Sequence, residues 1–370
     1  MDRLKRFVKR IPGVVYAVRK LKKYLPDPAV RSLQSGGWLY QREVVEWLCD
    51  PSLRKQLPPI YRLFGSYCAF QHRLGADRVA GGQQIHRAII ALRKALRLKD
   101  SRALNIDSKV AFVDLHDPRL LQIPNEVADH YPDTSILQRF IGPDDTFVDV
   151  GANHGSFSIA ASQVIGPQGL IVAIEPQPRK TALVQKSLAA NARCEFRVHY
   201  FACGDESAEV EFYVPEGSSG GASVFAQYGA VVPHRKLRVP VRRFDDATKW
   251  HSFPGRVFMK VDVEGSETKF LRGATKMIRR RKPLIMLEIN PESMVASGQS
   301  GEHFVGELET LGYSHFFEVR PFSGPQHLAK LFAAGRRDVR NIIVTMSDAV
   351  LSSSLFVVSG ASLGLFSTLC

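Results

Sequence analysis

Cysteines are few in this sequence and widely separated. Only five occur among the 370 residues, and none of them forms a Cys-x-x-Cys pair. Because zinc sites and disulfide frameworks need clustered cysteines, the sequence predicts neither of them. We therefore expect a protein without a bound metal ion, working in a reducing compartment such as the cytoplasm. A divalent ion held between the carboxylates of Asp262 and Glu288 stays open as the alternative, without support from histidine or cysteine.

Long apolar runs are also missing. The run at 11–18 is short, and Arg19 and Lys20 interrupt it, so it lacks the extended apolar region of a signal peptide. Residues 349–370 carry no charged side chain, but six serines dilute their apolar character. We expect them to form part of a loosely packed C-terminal tail over 347–370 rather than a membrane span.

Basic residues outnumber acidic ones by 50 to 36, which gives a formal net charge of +14. They concentrate in residues 1–23, and a second basic run covers 279–282. Such clusters attract anionic lipid, acidic glycans or nucleic acid. No aromatic-interleaved basic motif favours nucleic acid. A peripheral contact of the N-terminus with anionic membrane stays open, beside docking of a basic helix on its own domain. The oligomeric state is not predicted.

Three segments differ in pattern along the chain. Residues 1–104 form a basic, mainly helical extension, whose candidate core aromatics are Trp38, Tyr40, Trp47, Tyr61 and Phe64. From 105 to 346, short β-rich runs lead into a regular alternation of strand and helix patterns. This alternation is typical of a mostly parallel, doubly wound α/β sheet, in which ligands gather at the carboxyl ends of strands. We therefore predict a Rossmann-like domain over 105–346.

The most informative motif lies where the first strand of this domain turns into a helix. It carries Asp149, Gly151, Asn153 and Gly155, and Glu175 ends the following strand. Gly151 permits a tight turn, and Gly155 lets the helix begin close to the strand. A carboxylate at position 175 can accept hydrogen bonds from both ribose hydroxyls of a nucleoside. The spacing therefore predicts a nucleoside cofactor at this turn.

Two cofactor classes compete for such a turn. A dinucleotide needs a middle glycine so that its pyrophosphate can approach the backbone, and Asn153 occupies that position. Asp149 would repel a pyrophosphate, whereas it suits the cationic amino group and sulfonium of S-adenosylmethionine. We therefore predict S-adenosylmethionine, with Asp205 as a further candidate that accepts from the adenine amino group. An ordinary turn aspartate is an equally good interpretation of Asp205.

Charged residues also occupy a central strand, where burial is costly unless they are paired. Lys260 and Asp262 are two positions apart, so both lie on one face, with Asp262 at the carboxyl end. Glu288 ends the next strand and is expected to converge with Asp262. We predict these three residues as the catalytic group, in which Asp262 orients or deprotonates a hydroxyl and Lys260 keeps it ionised. A structural ion pair is the alternative, with Glu264 and Glu267 only favouring a helix N-terminus.

Several ordered motifs resemble those of the FkbM-type methyltransferase family. They are Asp149–Gly155, Glu175-Pro176, Asn191, Val239–Asp245, Lys260–Glu267 with Leu271 and Ala274, Leu287–Ile289 and Asn341–Val344. The resemblance spans about 140–345 and implies a class I methyltransferase sheet of seven mostly parallel strands. It also implies S-adenosylmethionine as the methyl donor and a hydroxyl on a sugar, glycan or polyketide-like natural product as the acceptor. His154 departs from the residue that the family often has at that position.

Two functions of other classes stay open from the sequence. A nicotinamide-dependent oxidoreductase is motivated by the generic fold alone, and the missing glycine at position 153 speaks against it. A basic module that binds membrane or nucleic acid, with a vestigial pocket, is motivated by residues 1–23. The acceptor substrate cannot be deduced from the residues themselves.

Overall fold

The computed structural model describes residues 50–73, 82–215, 219–226, 234–320, 323, 325–332 and 339–346. The chain divides into two compact units, one of residues 1–128 with 216–219 and one of 129–215 with 220–370. The sequence placed the first boundary at 104, whereas the structure places it after Ala128. The basic residues 1–23, the aromatic residues Trp38, Tyr40 and Trp47, and the tail 347–370 lie outside the described residues.

The first unit combines short helices with a β hairpin. Its elements are α1 Pro51–Gln56, α2 Pro59–Arg73, α3 Gly82–Ala95, β1 Ser101–Ile106, β2 Lys109–Asp114, a 3-10 turn Pro118–Leu121 and α4 Ile123–Val127. The two strands pair in antiparallel register, from Ser101 opposite Asp114 to Ile106 opposite Lys109. Tyr61 and Phe64 are buried, as predicted for this core.

The second unit alternates strands and helices. Its helices are α5 Pro132–Ser135, α6 Ser156–Ala161, α7 Pro178–Asn191, α8 Phe244–Ala247, α9 Glu267–Gly273, α10 Thr275–Arg281, α11 Pro291–Ala296 and α12 Gly301–Thr310. Its strands are β3 Thr146–Val150, β4 Leu170–Ile174, β5 Glu195–His199, β6 Ala202–Gly204, β7 Ala208–Pro215, β8 His234–Arg243, β9 Val257–Val261, β10 Leu284–Ile289, β11 His315–Glu318, β12 Gln326–His327 and β13 Arg340–Thr345.

Eight of these strands form one large sheet in the order β12-β11-β13-β10-β9-β3-β4-β5. The strands from β10 to β5 pair in parallel, whereas β13 is antiparallel to both of its neighbours. The predicted Rossmann-like, mostly parallel sheet is therefore confirmed, with the two-residue β12 as an eighth strand at the edge. The order reverses between β3 and β9, and ligands bind at such switch points in open α/β sheets.

Apolar side chains from both faces of this sheet enter the core. Val148, Val172 and Met259 pack on one face, whereas Phe147, Ile171 and Phe258 pack on the other. Because both faces of the sheet are covered, the central strands are continuous runs of apolar residues rather than alternations of apolar and polar residues. A charged residue inside these strands, such as Asp149 or Lys260, is therefore an exception that the rest of the fold must accommodate.

A second, three-stranded sheet has the order β6-β8-β7. The strands β7 and β8 form the predicted hairpin, which pairs Ala208 with Val241 at its base. At the end of β8, Asp245 accepts hydrogen bonds from the backbone N–H groups of Lys276 and Met277. Since these groups begin α10 and lack helical partners, the Asp245 carboxylate caps that helix across 31 positions of the chain.

We expect Asp245→Ala to lower the free energy of unfolding by about 1–3 kcal/mol, because two amide donors lose a buried, charged acceptor. Urea unfolding followed by circular dichroism measures this change. Asp246→Ala is the matched control, since its side chain is 57% exposed in an ion pair with Arg243, and we expect less than about 0.5 kcal/mol. Equal losses in the two variants would contradict the capping role.

Among the described residues, none of the helices has both the length and the apolar character needed to cross a bilayer.

Candidate functional site

The predicted charged residues share one face of the large sheet. Asp149 lies opposite Lys260 and Ala173 in the parallel register, and Lys260 lies opposite Met286. Because side chains alternate along a strand, the residues two positions beyond these partners return to the same face. Glu175, Asp262 and Glu288 are those residues, and all three lie at the carboxyl edge. The turn after β3, which the sequence predicts to bind the methyl donor, is called the donor turn below. The structure thus brings it to the same edge as the predicted catalytic group, Lys260, Asp262 and Glu288.

The turn after β3 depends on backbone conformations that side chains disfavour. Gly151 has φ +84°, and a Cβ there would lie 1.9 Å from the carbonyl oxygen of Asp262. Gly155 has φ +80° and abuts Val184 on α7. Asn153 adopts φ 50°, the left-handed region that asparagine tolerates better than most residues. The turn therefore holds the ends of β3 and β9 in backbone contact.

Glu175 is buried at the end of β4 and joins this turn to the next helix. Its Oε2 accepts from the backbone N–H of Asn153 at 2.8 Å, and its Oε1 accepts from that of Gln177 at 2.8 Å. Burial raises the pKa of Glu175 to about 7, against the effect of these two hydrogen bonds. Each carboxylate oxygen can accept more than one hydrogen bond, so both keep capacity for a ligand hydroxyl.

Asp149 anchors helix α6. Its Oδ2 accepts from the Ser158 hydroxyl at 2.6 Å and from the Ser158 backbone N–H at 3.1 Å. Burial raises the pKa of Asp149 to about 6, whereas Ser158 and the Lys260 charge lower it. The structure therefore gives Asp149 a structural task beside the ligand contact predicted from the sequence. Contact with a ligand through Oδ1 stays a prediction.

Asp205 follows β6 in the small sheet rather than ending the third parallel strand directly. Its backbone carbonyl accepts from Arg243 at 2.6 Å, and its charge acts on Arg272 of α9. Glu175 is instead joined to the end of β5 by its backbone N–H, which donates to the carbonyl of His199 at 3.0 Å. The adenine contact of Asp205 stays a prediction.

Lys260 is buried at the centre of the polar face, with 1% of its surface exposed. Its Nζ lies 3.6 Å from Oδ2 of Asp262 and 5.2 Å from the ring centroid of Phe157, and it makes no hydrogen bond with any residue that the structure describes. Four carboxylates act on it, those of Asp262, Glu288, Asp149 and Asp133 in that order, and together they raise the pKa of Lys260 against the opposing effect of burial. Lys260 is therefore held in its charged form.

Asp262 and Glu288 converge as predicted, and a third carboxylate joins them. Oxygen atoms of Asp262, Glu264 and Glu288 all lie within 4.8 Å of one another. Glu264 adopts φ 47° and accepts from Asn290 Nδ2 at 3.0 Å. The sequence analysis named Glu264 only in its alternative interpretation, as a residue that favours a helix N-terminus. Its position in the motif alone could not reveal this contact, because the left-handed backbone turns its side chain back toward the cluster.

Glu267 fixes the backbone of the loop that carries this acidic cluster. Its Oε1 accepts from the backbone N–H groups of Val263 and Gly265, both at 3.3 Å. Burial raises the pKa of Glu267 to about 7. The Ser223 hydroxyl, which belongs to the hairpin insertion, donates to the backbone carbonyl of Glu264 at 2.7 Å. The loop that carries Asp262 and Glu264 is thus tied down from two sides. The predicted absence of a metal ion at this cluster stays a prediction.

The amino-acid sequence matches one family model, that of the methyltransferase FkbM domain, over residues 149–315. The match begins at Asp149 and includes Glu175, Lys260, Asp262 and Glu288, the same residues that the sheet brings to one edge. No curated relative matches the sequence significantly.

Solved structures with a similar chain trace include methyltransferases. A methyltransferase FkbM from Methylobacillus flagellatus is 16% identical, with 61% of this chain and 53% of that chain covered and a TM-score of 0.35. A precorrin-6y C5,15-methyltransferase from Geobacter metallireducens is 19% identical, with 60% and 88% covered and a TM-score of 0.31. A SAM-dependent methyltransferase from Aquifex aeolicus is 13% identical, with 62% and 99% covered and a TM-score of 0.33. The chain thus spans about half of the Methylobacillus protein.

Proposed function

We propose that this chain transfers a methyl group from S-adenosylmethionine to a hydroxyl oxygen, on the premise that residues 149–315 match the model of the methyltransferase FkbM domain. The acceptor that we propose is a sugar, a glycan or a polyketide-like natural product. The observation that carries the proposal is the shared face of the sheet, which places Glu175 on one side of Asp149 and the pair Lys260–Asp262 on the other.

The residues of the turn fit a nucleoside donor. Glu175 is fixed by two backbone amides and offers two oxygens to a vicinal diol. The buried Oδ1 of Asn153 has no hydrogen-bond partner among the described residues, so a bound group with a donor would satisfy it. A carboxylate-lined turn of this kind favours a cationic ligand and opposes a diphosphate. When bound, S-adenosylmethionine supplies an electrophilic methyl group on a sulfonium and leaves as S-adenosylhomocysteine.

Asp262 is the group that can handle the acceptor proton. Its side chain is 31% exposed, whereas that of Lys260 is 2% exposed, so Asp262 can reach both the acceptor and solvent. The acceptor hydroxyl donates to the Asp262 carboxylate, forms its new bond to the methyl carbon, and leaves its proton on that carboxylate for release to water. Lys260 acts through Asp262 by holding that carboxylate in place, since its Nζ lies 3.6 Å from Oδ2 of Asp262. Orientation alone can supply about 7–11 kcal/mol of such a barrier.

Glu288 and Glu264 complete the acceptor side. Their oxygens face Asp262 within 4.8 Å, so neighbouring hydroxyls of the acceptor can donate to them. Hydroxyls suit this set, because each can donate to a carboxylate while its oxygen stays available for attack. This arrangement and the domain match favour methyl transfer over the nicotinamide alternative. From the sequence alone we also propose a cytoplasmic location and a peripheral contact of residues 1–23 with anionic membrane.

Calorimetry on the full chain tests the donor, and transfer of a labelled methyl group to hydroxyl-bearing acceptors tests the reaction. We expect S-adenosylmethionine and S-adenosylhomocysteine to bind at one site per chain, and NAD not to bind. Label should appear in an ether that withstands mild base, which an ester formed on a carboxylate would not. Saturable binding of NAD in place of both sulfur nucleosides would overturn the proposal.

The affinity for S-adenosylhomocysteine is expected to rise with pH. Burial raises the pKa of Glu175 to about 7, so a growing fraction ionises as the pH increases through that value. A ribose hydroxyl donates better to the ionised carboxylate, and binding then favours loss of the proton. Between about pH 6 and pH 8 the dissociation constant should fall by about tenfold. Calorimetric titrations at both pH values measure it.

The unliganded fold should show the opposite trend. Because the folded-state pKa of Glu175 exceeds its value of 4.5 in a free side chain, its contribution to stability is present below about pH 4.5 and is lost by about pH 7. Glu175→Gln is the control for the binding experiment, since a neutral amide should give a flat pH profile of affinity. A profile of the same slope in that variant would remove Glu175 as the titrating group.

A further inference from the structure

Arg320, which follows β11, is held in a fixed position on two sides. Its Nε donates to Oδ1 of Asp133, and its guanidinium carbon lies 4.7 Å from the ring centroid of Tyr131. Asp133 is buried, with 10% of its side chain exposed, whereas the Arg320 side chain is 47% exposed. A guanidinium has five N–H donors; the pair with Asp133 uses Nε–H, and the Tyr131 side chain is a further hydrogen-bonding partner of the group. Since 47% of the Arg320 side chain is exposed, its remaining donors can reach a ligand from a preorganised position.

This arginine belongs to the same polar face as the catalytic group. Oδ2 of Asp133 accepts from Asn341 Nδ2 at 3.1 Å, and Asn341 lies directly opposite Glu288 in the antiparallel register. Residues opposite each other in such a pair point to one face of the sheet. Asp133 is also among the carboxylates whose charge acts on Lys260. A continuous row of polar side chains thus leads from Asp262 to Arg320 along the carboxyl edge.

We propose that Arg320 binds an anionic group, a carboxylate or a phosphate, on the acceptor whose hydroxyl lies at Asp262. The proposal rests on the proposed function, because it assigns the acceptor to that same edge. The planar guanidinium fork matches the two oxygens of a carboxylate or phosphate, and Asp133 and Tyr131 have already removed its rotational freedom. The acceptor class is therefore an acidic one, such as a uronic acid or a phosphorylated glycan.

The acidic cluster does not prevent an anion from binding at Arg320. Strand β11 is separated from β9 by β13 and β10, so three spacings of about 4.8 Å put the two ends of the row roughly 14 Å apart. That distance exceeds the Debye length of about 8 Å at physiological salt, so repulsion from the cluster is largely screened. Near Asp262, Glu264 and Glu288, by contrast, an anion would meet three carboxylates within 4.8 Å of one another.

Three matched disaccharide probes test the proposal, since a single sugar would not span roughly 14 Å: methyl cellobioside, and the same glucoside with a terminal glucuronate or with a terminal 6-phosphate. Their dissociation constants are measured by ligand-observed NMR on the full chain saturated with S-adenosylhomocysteine, whose own binding is established first. We expect one of the two anions to bind at least about tenfold tighter than the neutral glucoside, with the preference reduced by added salt. The preferred anion then identifies the group as a carboxylate or a phosphate.

Arg320→Gln should abolish this preference and leave the affinity for S-adenosylhomocysteine unchanged, while Arg320→Lys should retain only part of it. Arg242→Gln is the matched control, since Arg242 is 41% exposed in an ion pair with Glu209 on the small sheet, and it should behave as wild type. Equal affinities for all three probes in the wild-type chain, or an unchanged preference in Arg320→Gln, would overturn the inference. A failure of S-adenosylhomocysteine to bind would instead refute the proposed function.

Discussion

Asp262→Asn is expected to lower kcat by about 10²–10⁴-fold, the usual contribution of a positioned proton acceptor. Asparagine has nearly the same shape, but it cannot take a proton from the acceptor hydroxyl. The substitution also removes the oxygen that lies 3.6 Å from the buried Nζ of Lys260. Affinity for S-adenosylhomocysteine should change by less than about threefold, because the donor turn is untouched. Steady-state rates of methyl transfer and calorimetry measure the two quantities separately.

Stability has to be followed in the same variant. Loss of a partner from a buried ion pair costs about 3–5 kcal/mol, but Asp262 is 31% exposed, and the charges of Glu288 and Asp149 continue to act on Lys260. We therefore expect a smaller loss, which leaves the chain folded at 25 °C. Asp246→Asn is the matched control, since that exposed carboxylate pairs with Arg243. An Asp262→Asn variant with unchanged kcat would exclude Asp262 as the proton acceptor.

Strand periodicity made the shared face predictable. Lys260 and Asp262 are two positions apart. Ala173, which lies opposite Asp149, is likewise two positions before Glu175. A period of two is a local property of the chain, so the sequence alone places these side chains together once the strand order is known. Within the described residues, the predicted sheet and the convergence of Asp262 with Glu288 are therefore confirmed.

Other parts of the site depend on contacts that no local pattern records. Glu264 reaches the acidic cluster through a left-handed backbone conformation, which its side chain does not favour. Arg320 meets Asp133 across 187 positions of the chain. Such a pair follows from how α5 packs near the ends of β11 and β13, and packing of that kind is set by the whole fold. The third carboxylate and the arginine could not be predicted for this reason.

Gly151→Ala is expected to damage both stability and activity, because the turn after β3 has no room for a side chain. The added Cβ would lie 1.9 Å from the carbonyl oxygen of Asp262, and the residue has φ +84°. The left-handed conformation alone costs an alanine about 1–2 kcal/mol, and relief of the clash must move the end of β9 by more than about 1 Å. A misplacement of that size can cost about 100-fold in rate. Both losses have one cause, the displacement of the turn after β3 from Asp262, which the mechanism needs next to that turn.

We therefore expect the free energy of unfolding to fall by about 3 kcal/mol or more and kcat/KM to fall by at least about 100-fold. Urea denaturation and initial rates of methyl transfer measure these changes. Gly306→Ala is the matched control, since nothing lies within 4 Å of a Cβ at that position of α12, and alanine should stabilise the helix by about 0.5–1 kcal/mol. If Gly151→Ala retained wild-type rates, the contact between the donor turn and the Asp262 backbone would have no part in catalysis.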